Sequence, residues 1–489
     1  MRRIVWCLGM GLALFGVLTS SAYAKGSKPV IAGLSAVPGT VSSGGSTMVS
    51  ASVSGATSCT LSANKTVSGL PITFSCESGS VSEEVVMPQN TGKKAAKYKL
   101  TLEATGAGGS AKGKLTVADG TATAASIAAG GGESCALLTT GRIKCWGSNE
   151  YGQLGYGKPG KLKDVPVEVN GVTSATQVSV GGLHACALMG DGHIACWGDG
   201  KSGQLGNGID ANEATPVQVM NIADAGEVAA GAATTCALLS TGHVACWGYN
   251  QYGELGNGTI GEPQNVPVEV SGITDAIQVS AAGSAMCALV STGSVFCWGR
   301  NAGGRLGDGD PSGGASDVPV EVAGIASALE LAGSLSHSCA VLSSGHGMCW
   351  GENAHGELGD GTAAGEEGCH GEYGQCSASP VEVVTVSNPS QLTLGGEHTC
   401  ALLSSGHVEC WGGDGYGQLG GGAEANSTGS LTPVEVQGIA SAKEIAAGEH
   451  HTCALLTTGH IKCWGAGAEG ALGNGSEQRG LTPVEVSGI

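Results

Sequence analysis

The 489-residue chain carries 41 Asp and Glu against 22 Lys and Arg, a formal net charge of −19, with 87 Gly, 19 Cys and three Phe. Its length excludes one ordinary globular domain and asks for several domains or a repeat array. The charge is uneven, nine Lys against five Asp or Glu in residues 25–120 but 11 Lys or Arg against 36 Asp or Glu in 121–489; a surface so acidic repels phosphate backbones and excludes nucleic acid as a partner.

The first element is residues 1–24. Arg2 and Arg3 precede an apolar run from Ile4 to Leu18, and Ala22-Tyr23-Ala24 sets small residues around a cut before Lys25. This is the pattern of a secretory signal peptide. Cys7 lies inside the run and not at the cut, which argues against a lipoprotein, and no later segment is apolar for long enough to span a bilayer. The expected destination is periplasm, cell surface or medium. Removing the signal leaves 18 cysteines, and an exported chain with an even number reads as disulfide-bonded. Zinc is the alternative, but two cysteines separated by nine residues lack the tight bite of structural zinc motifs.

Residues 25–118 are rich in Ser, Thr, Val and Gly, with alternating runs such as STMVSASVSG and YKLTLEA between turn signals at Pro38-Gly39, Gly44-Gly45 and Asn90-Thr91-Gly92. The pattern predicts a small all-β sandwich of about seven strands, bridged by Cys59 and Cys76. The stretch from SSGGS through SGATSCTLS to YKLTLEATGAGG resembles bacterial immunoglobulin-like modules of exported proteins, which implies a spacer or adhesion role. Residues 119–125 lack apolar periodicity and read as a linker.

Residues 126–489 repeat one unit seven times: a PVEV strand, a Gly-rich link, an apolar run ending in a cysteine, then CWG and an LGxG turn. The first cysteines, Cys135, Cys186, Cys236, Cys287, Cys339, Cys400 and Cys453, are spaced by 51, 50, 51, 52, 61 and 53 residues. A period near fifty built from strand-like residues indicates a β-propeller or a β-solenoid. The last repeat stops at PVEVSGI and the first lacks the PVEV that should precede it. Each end supplies what the other is missing, so the expected fold is a seven-bladed β-propeller closed by pairing its own termini.

Within CALLTTGRIKCWG, Leu138 to Arg142 has the form of a three-residue hairpin loop, a type I turn followed by a left-handed Gly. Counting back from the loop places Cys135 opposite Cys145, close enough for a disulfide. The same count pairs Cys186 with Cys196, Cys236 with Cys246, Cys287 with Cys297, Cys339 with Cys349, Cys400 with Cys410 and Cys453 with Cys463. These are structural staples. Trp146, Trp197, Trp247, Trp298, Trp350, Trp411 and Trp464, one per repeat, are expected as inter-blade core and not as a stacking platform. GGEHTCALLSSGHVECWGGDGYGQLGGG, Gly395–Gly422, resembles the regulator-of-chromosome-condensation repeat family over about three-quarters of the chain. That resemblance implies a seven-bladed propeller. The family includes a nuclear exchange factor for a small GTPase, secreted inhibitors and protein-binding scaffolds, and no exchange residue can be matched onto a position of this chain.

Two histidine series recur. His184, His337, His398 and His451 stand two residues before the first cysteine, where other copies have Glu133, Thr234 and Ala285; His193, His243, His346, His407 and His460 follow the turn Gly. Repetition around a ring favours blade-to-blade hydrogen bonds and solvated turn positions over metal binding or acid–base chemistry. The E of PVEV (Glu168, Glu269, Glu321, Glu382, Glu435, Glu485; Gln218 in one copy) is expected on a solvated strand face, with attraction of a cation or basic partner the other reading. Asn207, Asn257, Asp308, Asp360 and Asn474 in the LGxG turn are explained by tolerance of left-handed backbone, and Gly307–Asp310 lacks the spacing of a calcium loop.

One place breaks the symmetry. The fifth repeat has eighteen residues, Thr362–Ser379, where most have seven to ten. Cys369 and Cys376 can bridge there, and Glu366, Glu367, His370, Glu372 and Tyr373 form a candidate partner-binding element on a rigid scaffold. A tolerated insertion, or zinc held by Cys369, His370 and Cys376, are the other readings. No once-only nucleophile, acid–base pair or phosphate-binding loop stands out. The expectation is therefore an exported, monomeric, non-enzymatic scaffold that binds a protein through rim loops and needs no metal or cofactor. Nucleotide exchange on a small GTPase, on the family resemblance alone, and inhibition of a secreted enzyme are the alternatives, with a lyase or glycosidase the weakest.

Overall fold

In a computed structural model of the chain, the structure describes residues 27–37, 40–41, 46–77, 79–88, 90, 96–119, 122–365, 369, 374–386, 388–422 and 429–489. The signal-peptide reading of residues 1–24 lies outside them. The chain divides into two compact units, Met1–Thr121 and Ala122–Ile489.

In the first unit the alternating runs become eight strands: β1 (Val30–Val37), β2 (Thr40–Val41), β3 (Ser46–Ser54), β4 (Ser58–Ala63), β5 (Ile72–Ser75), β6 (Ser80–Val86), β7 (Ala96–Gly106) and β8 (Gly109–Asp119). They form a three-stranded sheet, β1-β3-β6, and a five-stranded sheet, β2-β8-β7-β4-β5. The alternation sends Val49 and Val53 of one sheet and Leu61, Leu100 and Leu102 of the other into a single core. Cys59 on β4 is bonded to Cys76 just past β5.

The second unit is seven four-stranded antiparallel sheets, each built from consecutive strands. The first contains β9 (Ala124–Ala129), β10 (Glu133–Leu138), β11 (Ile143–Gly147) and β12 (Lys163–Glu168). The others follow over residues 175–218, 225–269, 276–321, 328–382, 389–435 and 442–485. First strands touch from sheet to sheet, and that of the seventh, Ala442–Ala447, touches β9. The two ends of the second unit do not pair with each other as strands. Gly480–Glu485 bonds to Ile461–Gly465 of its own sheet, and β9 bonds to β10. The reason is the repeat frame: the PVEV strand is the outer strand of the sheet whose CWG strand precedes it, through Cys145↔Val167 and its equivalents. A frame that starts at PVEV cuts the unit one strand too early. β9 also begins at Ala124, inside the expected linker, because Ala124 is buried where the last sheet meets the first.

The hairpin has the expected register. Leu138 N–H donates to the Arg142 carbonyl at 2.8 Å, Gly141 sits at φ +74°, and Cys135 lies directly opposite Cys145. Seven hairpin disulfides result, their Cα atoms 4.0 to 4.1 Å apart, the close spacing of a non-hydrogen-bonded antiparallel pair. Replacing Cys135 and Cys145 together by alanine is expected to cost about 2.5 kcal/mol by the loop-closure estimate. Denaturant unfolding checks this; an unmoved midpoint would assign hairpin closure to packing alone.

All seven Trp of the repeats are fully buried. Each reaches across a junction, its indole N–H donating to a carbonyl in the LGxG loop of the preceding sheet at 2.7 to 3.0 Å. Trp146 of the first sheet makes the same bond to Ala471 of the last, at 2.9 Å.

Candidate functional site

In an antiparallel meander, the link between strands one and two and the loop between strands three and four leave a sheet at the same end. All seven sheets therefore present these segments together, here called the loop face. Near the axis the links approach one another closely. Gly131 N–H donates to Gly181 O, Gly182 to Gly231 O, Ala232 to Gly283 O, Gly396 to Glu449 O and Glu449 to Gly130 O, at 2.9 to 3.1 Å. A Cβ on Gly130 or Gly181 would run into the neighbouring carbonyl, so glycine is required there. The collar surrounds a cavity of about 80 Å³.

Behind it lies the first histidine series. His184, His337, His398 and His451 are sealed from solvent, and each Nε2 meets a hydroxyl of the next sheet: Thr235 at 2.8, Thr399 at 2.7, Thr452 at 2.8 and Ser134 at 2.7 Å. Thr235, Thr399 and Thr452 donate onward to the carbonyls of Gln204, Glu357 and Gln418, so the imidazole donates to them as the Nε2–H tautomer. Burial pulls His184, His337 and His451 down to about 4 and His398 to about 3. They are neutral structural bolts, as the repeat argument expects. Where the histidine is missing, Glu133, Thr234 or Ala285 takes its place. Glu133 is fully buried, and burial followed by the repulsion of Glu469 raises its carboxyl well above the usual range.

The second series is solvated at the turns, as expected, and is also paired. On the opposite end of the sheets, five of the six PVEV carboxylates pair with a post-turn residue: Arg142–Glu168, His243–Glu269, His346–Glu382, His407–Glu435 and His460–Glu485, at 2.6 to 2.9 Å, while His193 pairs with Asp191 at 3.2 Å. The Glu positions are half-exposed, as a solvated strand face requires, but they do not form a bare carboxylate ring. Adjacent strands bring the two motifs together, which separate inspection of each series missed.

In the loops, Asn207, Asn257, Asp308, Asp360 and Asn474 do not adopt left-handed backbone; the left-handed positions are flanking glycines such as Gly206 and Gly208. Instead each side chain accepts the N–H two residues on, at 2.9 to 3.2 Å. These are Asx turns, the other use of the same residues. Asn149, Asn250, Asn301, Asn353 and Asp414, not singled out from sequence, hold the loop from inside by accepting the N–H of the LGxG leucine. Their recurrence just after CWG was the available signal.

Half-exposed aromatics then stand on the loop face at one repeated position, Tyr151, Tyr252, His355 and Tyr416. Lys201 lies 5.8 Å over Tyr151, Arg300 5.2 Å over Tyr252, and His450 stacks 4.6 Å from Tyr416. Each pairs one sheet's loop with the next sheet. Aromatic faces beside cations on a rigid ring are the kind of surface that macromolecular contacts use.

The long fifth loop is rooted on this face. Its base is fastened by Asn353 N–H to Gln375 O (2.7 Å), Gly365 N–H to the Gln375 side chain (3.1 Å) and the Cys369–Cys376 disulfide. Those two sulfurs are committed to one another, which leaves the zinc reading without its thiolates. The candidate contacts Glu366, Glu367, His370, Glu372 and Tyr373 lie outside the described residues. Among the described residues no group of three or more His, Cys, Asp or Glu is placed to hold a metal, and no described helix is long and apolar enough to cross a membrane.

Comparison with known proteins matches residues 91–370 to the RCC1-like domain, and 390–418, 442–471 and 405–455 to the regulator of chromosome condensation (RCC1) repeat. Among relatives, the E3 ubiquitin-protein ligase HERC2 of Mus musculus is 28% identical over 371 residues, which is 74% of this chain but 6% of that protein. The probable E3 ubiquitin-protein ligase HERC3 of Homo sapiens is 38% identical over 355 residues, 70% of this chain and 32% of its own length. The chain thus spans a minor part of these ligases. Among solved structures, Prp20p from Saccharomyces cerevisiae aligns over 72% of this chain and 87% of its own at TM-score 0.62 and 22% identity, and human WBSCR16 over 71% and 95% at 0.62 and 21%. These likenesses show the all-β RCC1-type propeller fold.

Proposed function

The chain belongs to the RCC1-like domain family, and from that premise we propose that it is an exported, non-enzymatic scaffold that binds a protein partner through the loop face. Seven sheets joined by seven equivalent Trp bonds, the last across Trp146 and Ala471, support a closed seven-bladed propeller. The two sheets of the first unit, sharing one core, support an immunoglobulin-like module ahead of it. Nine disulfides among the described residues support an oxidising compartment, and with it the signal-peptide reading of residues 1–24.

The observation that carries the binding proposal is the fifth loop. It is the longest of its series in sequence, it is clamped at its base, and that base lies on the face that carries half-exposed aromatic positions not repeated in every sheet. A rigid frame with one non-repeating loop is what single-partner recognition needs. Prp20p is characterised by its binding to Gsp1p and histones, which keeps nucleotide exchange as a second reading for this chain. Its acidity and its disulfides weigh against a nuclear partner or a DNA-bound one. Inhibition of a secreted enzyme is the form the scaffold reading takes if the partner is itself an enzyme.

The test is capture from the exported fraction of the native organism with oxidised residues 25–489 as bait, against a bait whose 362–379 loop is cut to the length of its counterparts. One protein retained by the full bait and lost with the shortened one is the expected result. Equal retention by both would move the site off the loop. A GTPase captured only from the cytosol by reduced protein would favour exchange.

A further inference from the structure

The fourth sheet departs from the others in a way the sequence series conceal. This sheet places Arg300 directly after its CWG strand and Arg305 in its LGxG loop. The other six sheets carry Ser, Asp, Tyr, Glu, Gly or Ala at the first place and Gln, Glu or Ala at the second. Both arginines line a cavity of about 310 Å³ that opens beside the axial collar. Glu397 of the sixth sheet and Glu449 and His450 of the seventh also line it, two and three sheets further round the ring, with Leu335 of the fifth between in ring order.

The charged groups are held in place. Arg300 lies over the Tyr252 ring, and Arg305, 3% exposed, stands 3.9 Å from Glu352. His450 stacks on Tyr416 with its Nε2 3.6 Å from Glu449, while its buried Nδ1 has no hydrogen-bond partner among the described residues. A pre-set pair of cations sharing a cavity with carboxylates selects against ligands of one sign. A phosphate would meet two glutamates, and a polyamine two arginines. The ligand that satisfies both sets carries both charges. The volume is that of a small-molecule site.

We propose that this cup binds a small zwitterion, a free amino acid or a dipeptide. Its carboxylate lies toward Arg300 and Arg305, its ammonium toward Glu397 and Glu449, and an apolar side chain rests on Leu335. The two sources share this chemistry and differ in length. None of the residues that line the cup belongs to 362–379, so capture of a protein partner and zwitterion binding are tested independently.

Calorimetric titration of the oxidised chain with leucine and with glycyl-leucine tests it. Saturable binding of one equivalent is expected, and whichever compound binds more tightly identifies the source. Capping either charge, as N-acetyl-glycyl-leucine or glycyl-leucinamide, should weaken binding by about tenfold or more, the worth of one charge-assisted contact. Arg300→Gln and Glu449→Gln should do the same, while Arg142→Gln on the opposite end of the first sheet should not. Both sites are partly exposed, and an unchanged unfolding midpoint would show that each variant folds; should Arg300→Gln fail, Glu449→Gln carries the comparison alone. Absence of saturable heat at millimolar ligand, or binding indifferent to the caps and to the Glu449 change, overturns the proposal.

Discussion

Replacing Trp298 by alanine is expected to destabilise the ring by about 3–5 kcal/mol, the range for truncating a fully buried large aromatic. The indole fills the junction between the third and fourth sheets, packed with Leu255, Val270 and Ile273 of one and Val279 and Met286 of the other. Its N–H bonds the Glu254 carbonyl at 2.9 Å. Gly256 passes directly beneath it, where a Cβ would collide with the ring, so no side chain can move in to fill the space. Trp298→Phe keeps most of the apolar contact and leaves that carbonyl unpaired, and should cost about 1–3 kcal/mol. Denaturant unfolding of the oxidised chain followed by fluorescence separates the two. Trp146→Ala adds a topological test. In a closed ring the seventh-to-first junction is like any other, and its loss should match that of Trp298→Ala within the usual context spread. In an open array Trp146 would sit at a frayed end and cost markedly less.

How far the fold could be read ahead depended on whether a signal was local. The hairpin register followed from counting back from one left-handed Gly, and the seven Trp from their type and periodicity, because both depend on neighbours along the chain. The frame of the repeat did not. PVEV and CWG pair across a loop of about fifteen residues, and nothing in the sequence says whether the outer strand belongs to the motif before it or after it. The pairing of His243 with Glu269 and its equivalents was hidden for the same reason, since each partner lies on a different strand. The role of Asn207 and its counterparts was misassigned because one residue type serves two turn geometries, left-handed backbone and the Asx turn, and only the dihedral distinguishes them. The arginine pair of the fourth sheet was visible as residues but not as a site, since its accompanying carboxylates come from two sheets further along the ring. The fifth loop was legible as an insertion and as a disulfide; the contacts assigned to Glu366, Glu367, His370, Glu372 and Tyr373 still rest on the sequence alone.

Glu227→Gln is expected to stabilise the protein by up to about 3 kcal/mol at pH 8 and by almost nothing at pH 4, a difference that follows from linkage. Each first strand but β9 carries a Gln or Glu whose side chain accepts an N–H of the next sheet's first strand. Gln177, Gln278 and Gln391 do so at 2.9 Å, and Glu227, Glu330 and Glu444 at 3.0, 3.3 and 3.0 Å. The glutamines do more, for Gln278 and Gln391 also donate to the carbonyls of Leu331 and Ile445, which a carboxylate cannot. Burial, only partly offset by the backbone hydrogen bond, pushes Glu227 and Glu330 up to about 7. A carboxyl raised in the folded state binds its proton more tightly there than in the unfolded chain. Its cost is therefore absent below pH 4, grows as pH rises toward 7, and is constant above. The neutral amide removes that cost. The buried histidines have the opposite sign. With folded values near 3 to 4 they withhold a proton that the unfolded chain takes up near 6.5, so their contribution is intact above pH 6.5 and is lost as pH falls toward 4. In the native protein the two sets oppose each other between pH 4 and 7, which flattens the stability profile. Glu227→Gln unmasks the histidine limb, and its profile should fall more steeply with acid than the parent's. Parallel profiles for variant and parent would mean that Glu227 is solvated and titrates normally, and would remove the buried-carboxyl account of the inter-sheet contact.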